Sequence, residues 1–211
     1  GTDWTYGPPA LAGAAFQDGV TYKVYVNPRD KAGNRASIAT DPALFPSVKQ
    51  FIYDVARPTA AVSNPSNGSA VKSGWGNFTG TSVDPGLSPS GVKKVEVAIQ
   101  KTSDGGALWW DWGTPGFSLG DPPPPAAWTT VATTSVQGIA SASIGWSTPA
   151  PNGMLVSSNT YRVAVRVQDW ATNQRPDSES AAAGAGWYFR YDTSAPTMTI
   201  TTPGFAAIIK T

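Results

Sequence analysis

Apolar residues fall on every second position of residues 160–173, TYRVAVRVQDWATN: Tyr161, Val163, Val165 and Val167 alternate with Arg162, Ala164, Arg166 and Gln168. A period of two is that of a strand with one buried face. The run leads into Asp169-Trp-Ala-Thr-Asn173, whose short polar side chains can hydrogen-bond the backbone and hold a tight turn. Residues 21–34, TYKVYVNPRDKAGN, repeat the design: Tyr22, Val24 and Val26 take the alternate positions, and Asp30 and Asn34 bracket the turn. The offset between the copies is 139 residues, from 21 to 160.

A second echo follows. Tyr53-Asp54, with Pro58-Thr59 after it, returns as Tyr191-Asp192 with Pro196-Thr197, at an offset of 138, from 53 to 191. Two echoes with nearly one offset predict a tandem array with a period of about 138 residues. Residues 1–57 then read as the C-terminal part of one unit, 58–195 as a complete unit and 196–211 as the first strand of a next one. The Pro-containing dipeptides at each boundary predict extended, semi-rigid junctions.

Within the complete unit, alternation and turn chemistry predict strands at 59–63, 70–72, 76–81, 92–101, 107–110, 128–134, 140–146, 161–168 and 186–191. In the first segment they predict strands at 20–26 and 48–54. Many short strands separated by Gly, Pro, Asp and Asn predict an all-β fold, a two-sheet sandwich. Composition supports this. Nineteen Pro and 22 Gly break the chain too often for long helices, while Thr, Val, Ser and nine Trp dominate between the breaks.

Charge and residue type narrow the chemistry. Fifteen basic and 14 acidic residues give a net charge of +1 without a basic patch, which removes the electrostatic case for nucleic acid or an anionic membrane. No apolar run approaches the roughly 20 residues that span a bilayer. The chain has no Cys and no His, which excludes disulfides, thiolate chemistry, zinc sites built on Cys and His, and imidazole catalysis within it.

The motifs form an ordered set: Pro58-Thr, then Asn64-Pro65-Ser-Asn-Gly68, then Asn77-Phe-Thr-Gly80-Thr-Ser-Val-Asp84, then Ser90-Gly91-Val92, and finally Tyr161-Arg-Val163 with Asp169–Asn173. In that order and spacing they resemble the bacterial immunoglobulin-like (Big-type) domains repeated in very large surface and secreted proteins. Asp30-Lys-Ala-Gly33-Asn34 fits the usual form of the last motif better than Asp169–Asn173 does. The resemblance implies immunoglobulin-like β-sandwich repeats and a structural or adhesive role outside a bacterium. The expected partners are copies of itself or neighbouring units in a fibre. It implies no enzymatic activity, and no catalytic residue or cofactor is expected. Residues 102–158 are longer than such a domain needs, and carry Trp109-Trp110-Asp111-Trp112 and four prolines at 122–125.

Several residues offer chemistry. Asp30, Asn34, Asp169 and Asn173 carry oxygens that suit Ca²⁺. Each loop supplies only two such side chains, so turn capping is the expected role and no metal site is assigned. Asp54 and Asp192 sit at the junctions, where an ion between units would have to lie, but neither is expected to have the dense acidic neighbours that a cage of about six oxygens requires. Trp109, Trp110 and Trp112 offer a platform for stacking sugars, against packing of the same rings over the sandwich edge. Pro122 to Pro125 read as a polyproline II loop. Glu96 alternates with Val95 and Val97 and is expected to face solvent, which leaves no buried acid for a Lys–Asn crosslink of the kind found in similar pilins. At the chain's end, Met198, Ile200, Ile208 and Ile209 predict a strand and an apolar stretch, covered by a next unit or donated to a neighbour's sheet.

Overall fold

The computed structural model describes residues 16–25, 30–34, 49–103, 107–151, 153–174, 186–199 and 201. Among them there is no α-helix, only strands and short 3-10 turns at Pro125–Ala127 and Ile139–Ser141. Strands β1 (Val20–Val24) and β2 (Lys49–Tyr53) pair antiparallel as a two-stranded sheet. The other strands build a β-sandwich. One sheet runs β10 (Ser143–Pro149), β5 (Asn77–Val83), β3 (Thr59–Asn64). The second runs β4 (Ser69–Val71), β12 (Trp187–Tyr191), β11 (Asn159–Asp169), β6 (Val92–Lys101), β7 (Leu108–Asp111), β8 (Gly116–Leu119), and β9 (Thr129–Thr133) also pairs with β6. The β12–β4 pair is parallel, the rest antiparallel.

Alternation locates most of these strands, because each needs one apolar face. Val62, Phe78 and Trp146 from the smaller sheet meet Val95, Val97, Ile99, Tyr161, Val163, Val165 and Phe189 from the larger one. Two differences have local causes. Residues 139–141 form a 3-10 turn instead of starting a strand, and β10 begins at Ser143. The Ser141 hydroxyl sits 2.6 Å from the Val136 carbonyl and 3.2 Å from that of Gly138, which satisfies a turn rather than a ladder. Strand β8 is not anticipated. It pairs with β7 alone, across a turn in which the Asp111 Oδ1 accepts from the amides of Gly113 and Thr114 at 2.8 and 3.1 Å.

The enlarged segment adds a third layer. Its Trp109 and Trp128, with Ala127, pack on Ala98 and Ala164, the face of the larger sheet turned away from the main core. Strands β6 and β11 are therefore covered on both faces. This corrects the expectation for Glu96, which is 8% exposed instead of solvent-facing. The alternation places Glu96 on the outer face, but that face is roofed. There Glu96 accepts from the Arg166 Nε at 2.7 Å and lies 3.1 Å from the Lys94 Nζ. Burial pushes its carboxyl up, and the two cations outweigh that and hold it below its ordinary value. The Arg166 guanidinium also lies over the Trp128 ring at 4.4 Å, and that of Arg162 over the Trp109 ring at 4.8 Å. The proline run is only partly an open extended loop. Pro124 is extended, Pro123 is buried, and Pro125 opens the 3-10 turn that delivers Ala127 and Trp128 to this layer.

Gly80, at the centre of the three-stranded sheet, is required by space. A Cβ there would collide with the Ala61 carbonyl and with the Trp146 indole. At Gly145, one strand over, the nearest atom to a Cβ is 3.9 Å away. Gly80→Ala is expected to cost roughly 3 kcal/mol, and Gly145→Ala less than about 1 kcal/mol. Parallel urea melts test this difference, and equal losses would contradict the packing described.

Candidate functional site

Residues 16–55 and 156–194 share a set of matching contacts. The Tyr22 and Tyr161 hydroxyls each accept from the amide five residues earlier, Gln17 at 2.8 Å and Val156 at 2.7 Å. Each tyrosine stacks on the phenylalanine opposite in register, Tyr22 on Phe51 at 5.6 Å and Tyr161 on Phe189 at 5.5 Å. The Gly19 amide donates to the Tyr53 carbonyl, and the Ser158 amide to that of Tyr191, both at 2.8 Å. The Val55 amide donates to the Asp18 Oδ1, and the Thr193 amide to the Ser157 Oγ, both at 2.9 Å.

The turn after each strand also matches. The Asn34 amide and Nδ2 donate to the two Asp30 carboxylate oxygens at 2.8 and 2.7 Å, and those of Asn173 to Asp169 at 2.7 and 2.8 Å. This turn needs a left-handed residue. Gly33 takes it at φ 94°, whereas Thr172 occupies it at φ 71°, a costly conformation for a β-branched side chain. Ser158 at φ 70° likewise stands where the other copy has Gly19 at φ 71°.

The two clamps differ in what surrounds them. Asp30 is exposed, and its bonds from Asn34 hold its carboxyl below the ordinary value. Asp169 is fully buried, because the chain leaving β2 passes over it. The Asn173 Nδ2 donates to the Asp54 carbonyl at 2.9 Å. The Asp54 Oδ1 accepts from the Ala56 amide at 3.0 Å, and its Oδ2 reaches across to the Ser90 amide at 2.7 Å. Asp84, at the end of β5, accepts from the Gly91 amide at 2.7 Å through Oδ2.

The Ser90-Gly91 pair links these groups. Its carbonyls take the amides of Gly138 and Trp170, and the Ser90 Oγ accepts from the Ala171 amide. The backbone turns there at a Gly91 φ of 90°. A Cβ on Gly91 would meet the Ser141 hydroxyl and lie 2.7 Å from the Gly138 carbonyl. Loop 84–91 is thereby pressed against the 169–173 turn, and Asp54 is laid between them.

The result is three buried carboxylates, Asp54, Asp84 and Asp169, with one oxygen of each within 4.8 Å of the others. Most of their remaining oxygens are held by amides. The exception is Asp84 Oδ1, which is sealed from solvent on a residue 2% exposed and has no hydrogen-bond partner. A buried oxygen of this kind calls for a proton or a cation. Burial first, and then the charges of Asp54 and Asp169, push the Asp84 carboxyl up to about 6. Burial and the Asp54 charge also raise Asp169, against the bonds from Asn173. The donors are all hard oxygens, the set that Ca²⁺ accepts.

Sequence reasoning paired Asp169 with Asn173 on one turn but treated Asp54 apart from them, and it missed Asp84 as a site residue. The view that Asp54 lacks acidic neighbours is corrected: its neighbours come from positions 84 and 169 and are adjacent only in space. A signal was present in Asp84-Pro85, where a carboxylate ends a strand six residues before Ser90-Gly91. Asp192 is half-buried, and its Oδ1 accepts from the Ser194 amide at 2.9 Å, as Asp54 does from Ala56. Pro58 is buried and Pro196 exposed, while Tyr53 is half-buried and Tyr191 buried.

The tryptophan platform is corrected as well. Trp109 and Trp110 are 0% and 4% exposed, and lie on opposite faces of the sheet. Trp109 stacks near Trp128 at 6.5 Å, and Trp110 packs on Phe117 at 5.1 Å in the main core. Trp112 is half-buried, with its indole N–H on the Ala127 carbonyl. The Trp109 and Trp110 rings are therefore closed to a stacking sugar. Residues 196–199 form no strand, and Met198 is exposed there, whereas Ile200, Ile208 and Ile209 lie outside the described residues. No protein-family model matches this chain, and no curated protein matches it.

The pH dependence follows from the raised carboxyl. Above about 6 the folded chain carries the full cost of an ionised Asp84. Between about 6 and the ordinary value of 3.8 the folded form holds a proton that the unfolded form does not, so acidification favours folding. The lowered Glu96 and Asp30 act in the opposite sense only nearer their ordinary values of 4.5 and 3.8. Thermal melts in chelator are expected to show Tm rising from pH 7 to pH 5, and Asp84→Asn to flatten that rise.

Proposed function

We propose that this chain is a non-enzymatic structural segment of a bacterial extracellular fibre or large surface protein. In this reading it is built from immunoglobulin-like β-sandwich units joined end to end, and a divalent cation, Ca²⁺, closes the joint. The observation that carries this is the orphaned Asp84 Oδ1 on a cluster whose third carboxylate, Asp54, comes from the segment that links β2 to the sandwich. The linking segment does not simply tether two bodies. Through Asp54 it is bonded to Ser90 and Asn173, both of the following sandwich. A cation bound by all three carboxylates would hold the linker to both loops at once.

Calcium fits better than a transition metal. The chain has no His or Cys to favour zinc, copper or iron, and the carboxylates come from three separate segments. Ca²⁺ tolerates irregular oxygen geometry, whereas Mg²⁺ demands a near-ideal octahedron. Three carboxylates without a dedicated loop suit the weaker class of site, which fills at the millimolar calcium found outside cells. The role is mechanical: a repeated unit with a locked joint transmits force and reach along a solenoid-like array.

Calcium titration of the 211-residue chain tests this. At free Ca²⁺ a hundredfold above the dissociation constant, linkage predicts about 2.7 kcal/mol of added stability. That corresponds to a rise in Tm of roughly 5–10 °C. Asp54→Asn, Asp84→Asn and Asp169→Asn are each expected to abolish most of the shift, and Asp192→Asn to preserve it. A wild-type chain whose melt is indifferent to calcium would rule out the cation-locked joint.

A further inference from the structure

Beside the aspartate cluster, on the same joint, lies a cavity of about 420 Å³. This is within the range of small-ligand sites, about 300–1,000 Å³. One wall comes from the β1–β2 hairpin, with Thr21, Gln50 and Phe51. The other comes from the loops of the sandwich, with Ser90, Gln137 and Trp170. None of the lining residues ionises, so the cavity selects against a charged ligand. What it offers is one indole, that of Trp170, two primary amides and two hydroxyls.

The indole is held before any ligand arrives. The Trp170 N–H donates to the Thr134 Oγ1 at 3.1 Å, and the Lys93 ammonium lies 5.4 Å from the ring centroid. The Phe51 ring stacks on Tyr22 and meets Phe16 edge-on at 5.6 Å, on the hairpin face opposite Thr21 and Gln50, and so braces that wall from behind. A ring held in this way contributes contact area at little cost in conformational freedom. Exposed Gln50, Gln137 and Thr21 supply donors and acceptors without charge. A lipid would want an apolar tunnel and a nucleotide a cation, and the lining has neither. A pyranose suits the mixture, since its C–H faces pack on rings while its hydroxyls take up amides.

We propose that this cavity is a subsite for a neutral sugar residue, packed on Trp170 and hydrogen-bonded by the amides of Gln50 and Gln137. Its two walls stand on opposite sides of the joint, so the subsite is complete only while the joint is closed, and sugar binding is coupled to calcium. The coupling rests on the cation reading of the aspartate cluster; the subsite does not. Trp109 and Trp110, buried in the sandwich, take no part.

Saturation-transfer NMR on the 211-residue chain tests both statements. The panel is glucose, galactose, mannose, N-acetylglucosamine and their common disaccharides, in calcium and in EDTA. At least one sugar is expected to be saturated in calcium. Trp170→Ala is expected to weaken that binding about tenfold or more, Gln137→Ala less, and Trp170→Phe to retain part of it. Near-UV circular dichroism and the calcium-induced Tm shift verify that each variant is folded. Asp84→Asn or EDTA is expected to weaken binding in the same way, reciprocally with a sugar-dependent gain in calcium affinity. No saturation of any sugar by a chain that calcium stabilises overturns the subsite and leaves the cation reading intact. Wild-type binding by Trp170→Ala also overturns it. Binding unaffected by EDTA and by Asp84→Asn overturns the coupling.

Discussion

The placement of three carboxylates out of water, from three distant segments, is the constraint on which the joint depends. Two charges 4.8 Å apart repel by roughly 3 kcal/mol at an effective dielectric near 20. A cluster of three has three such pairs besides its desolvation. Nothing local forces this arrangement. Asp54 could point to solvent from an extended linker, and Asp84 could cap the end of β5 from outside. Both are instead turned inward and anchored by backbone amides, Ser90 to one and Gly91 to the other. The amides position the oxygens but neutralise only part of the charge, and Asp84 Oδ1 is left with none. A counter-ion or a proton would relieve such a site.

The same logic, with the opposite solution, runs through the third layer. On the outer face of β6 and β11 the buried acid has its partners within reach: Glu96 lies opposite Arg166 in register, and Lys94 is two residues along the same strand. There the cations outnumber the acid, so the carboxylate needs no further cation. The layer's rings and guanidiniums fill the space under residues 107–128, which explains why a strand pattern that alternates faithfully is nevertheless buried on both sides. The alternation of Val95, Glu96 and Val97 correctly places the residues on opposite faces. It carries no information about what covers the second face, because that cover arrives from a loop insertion elsewhere in the chain.

This separates what the chain discloses in sequence from what it does not. Strand positions, turn residues and the β-sandwich class follow from short-range chemistry, and most were legible. The echo at 139 residues was legible too, and its geometric meaning is stronger than its letters. Gly19 and Gly33 in one copy correspond to Ser158 and Thr172 in the other, at the same left-handed φ. The backbone conformation therefore outlasts the residue that makes it easy. The candidate site was half legible. Asp54, Asp169 and Asn173 drew attention through their turns, whereas Asp84 acquires its role only when Gly91 brings loop 84–91 against the 169–173 turn. The stacking expected of the Trp109–Trp112 group fails for Trp109 and Trp110, since neighbours on a strand fall on opposite faces and here both faces are covered.

The two Asp–Asn clamps show why a motif alone cannot define such a site. Asp30 and Asp169 make the same hydrogen bonds with Asn34 and Asn173, to within 0.1 Å for the side-chain contacts. Yet their carboxyls move in opposite directions, Asp30 down and Asp169 up. The bonds are common to both and favour the ionised form, so they cannot produce the difference. What differs is the segment laid across the second clamp, which removes water and adds the charge of Asp54. A turn that is ordinarily a cap thus becomes part of a charged pocket when another segment docks on it. The chemistry of the joint belongs to the act of joining, and either half alone is only a well-made turn.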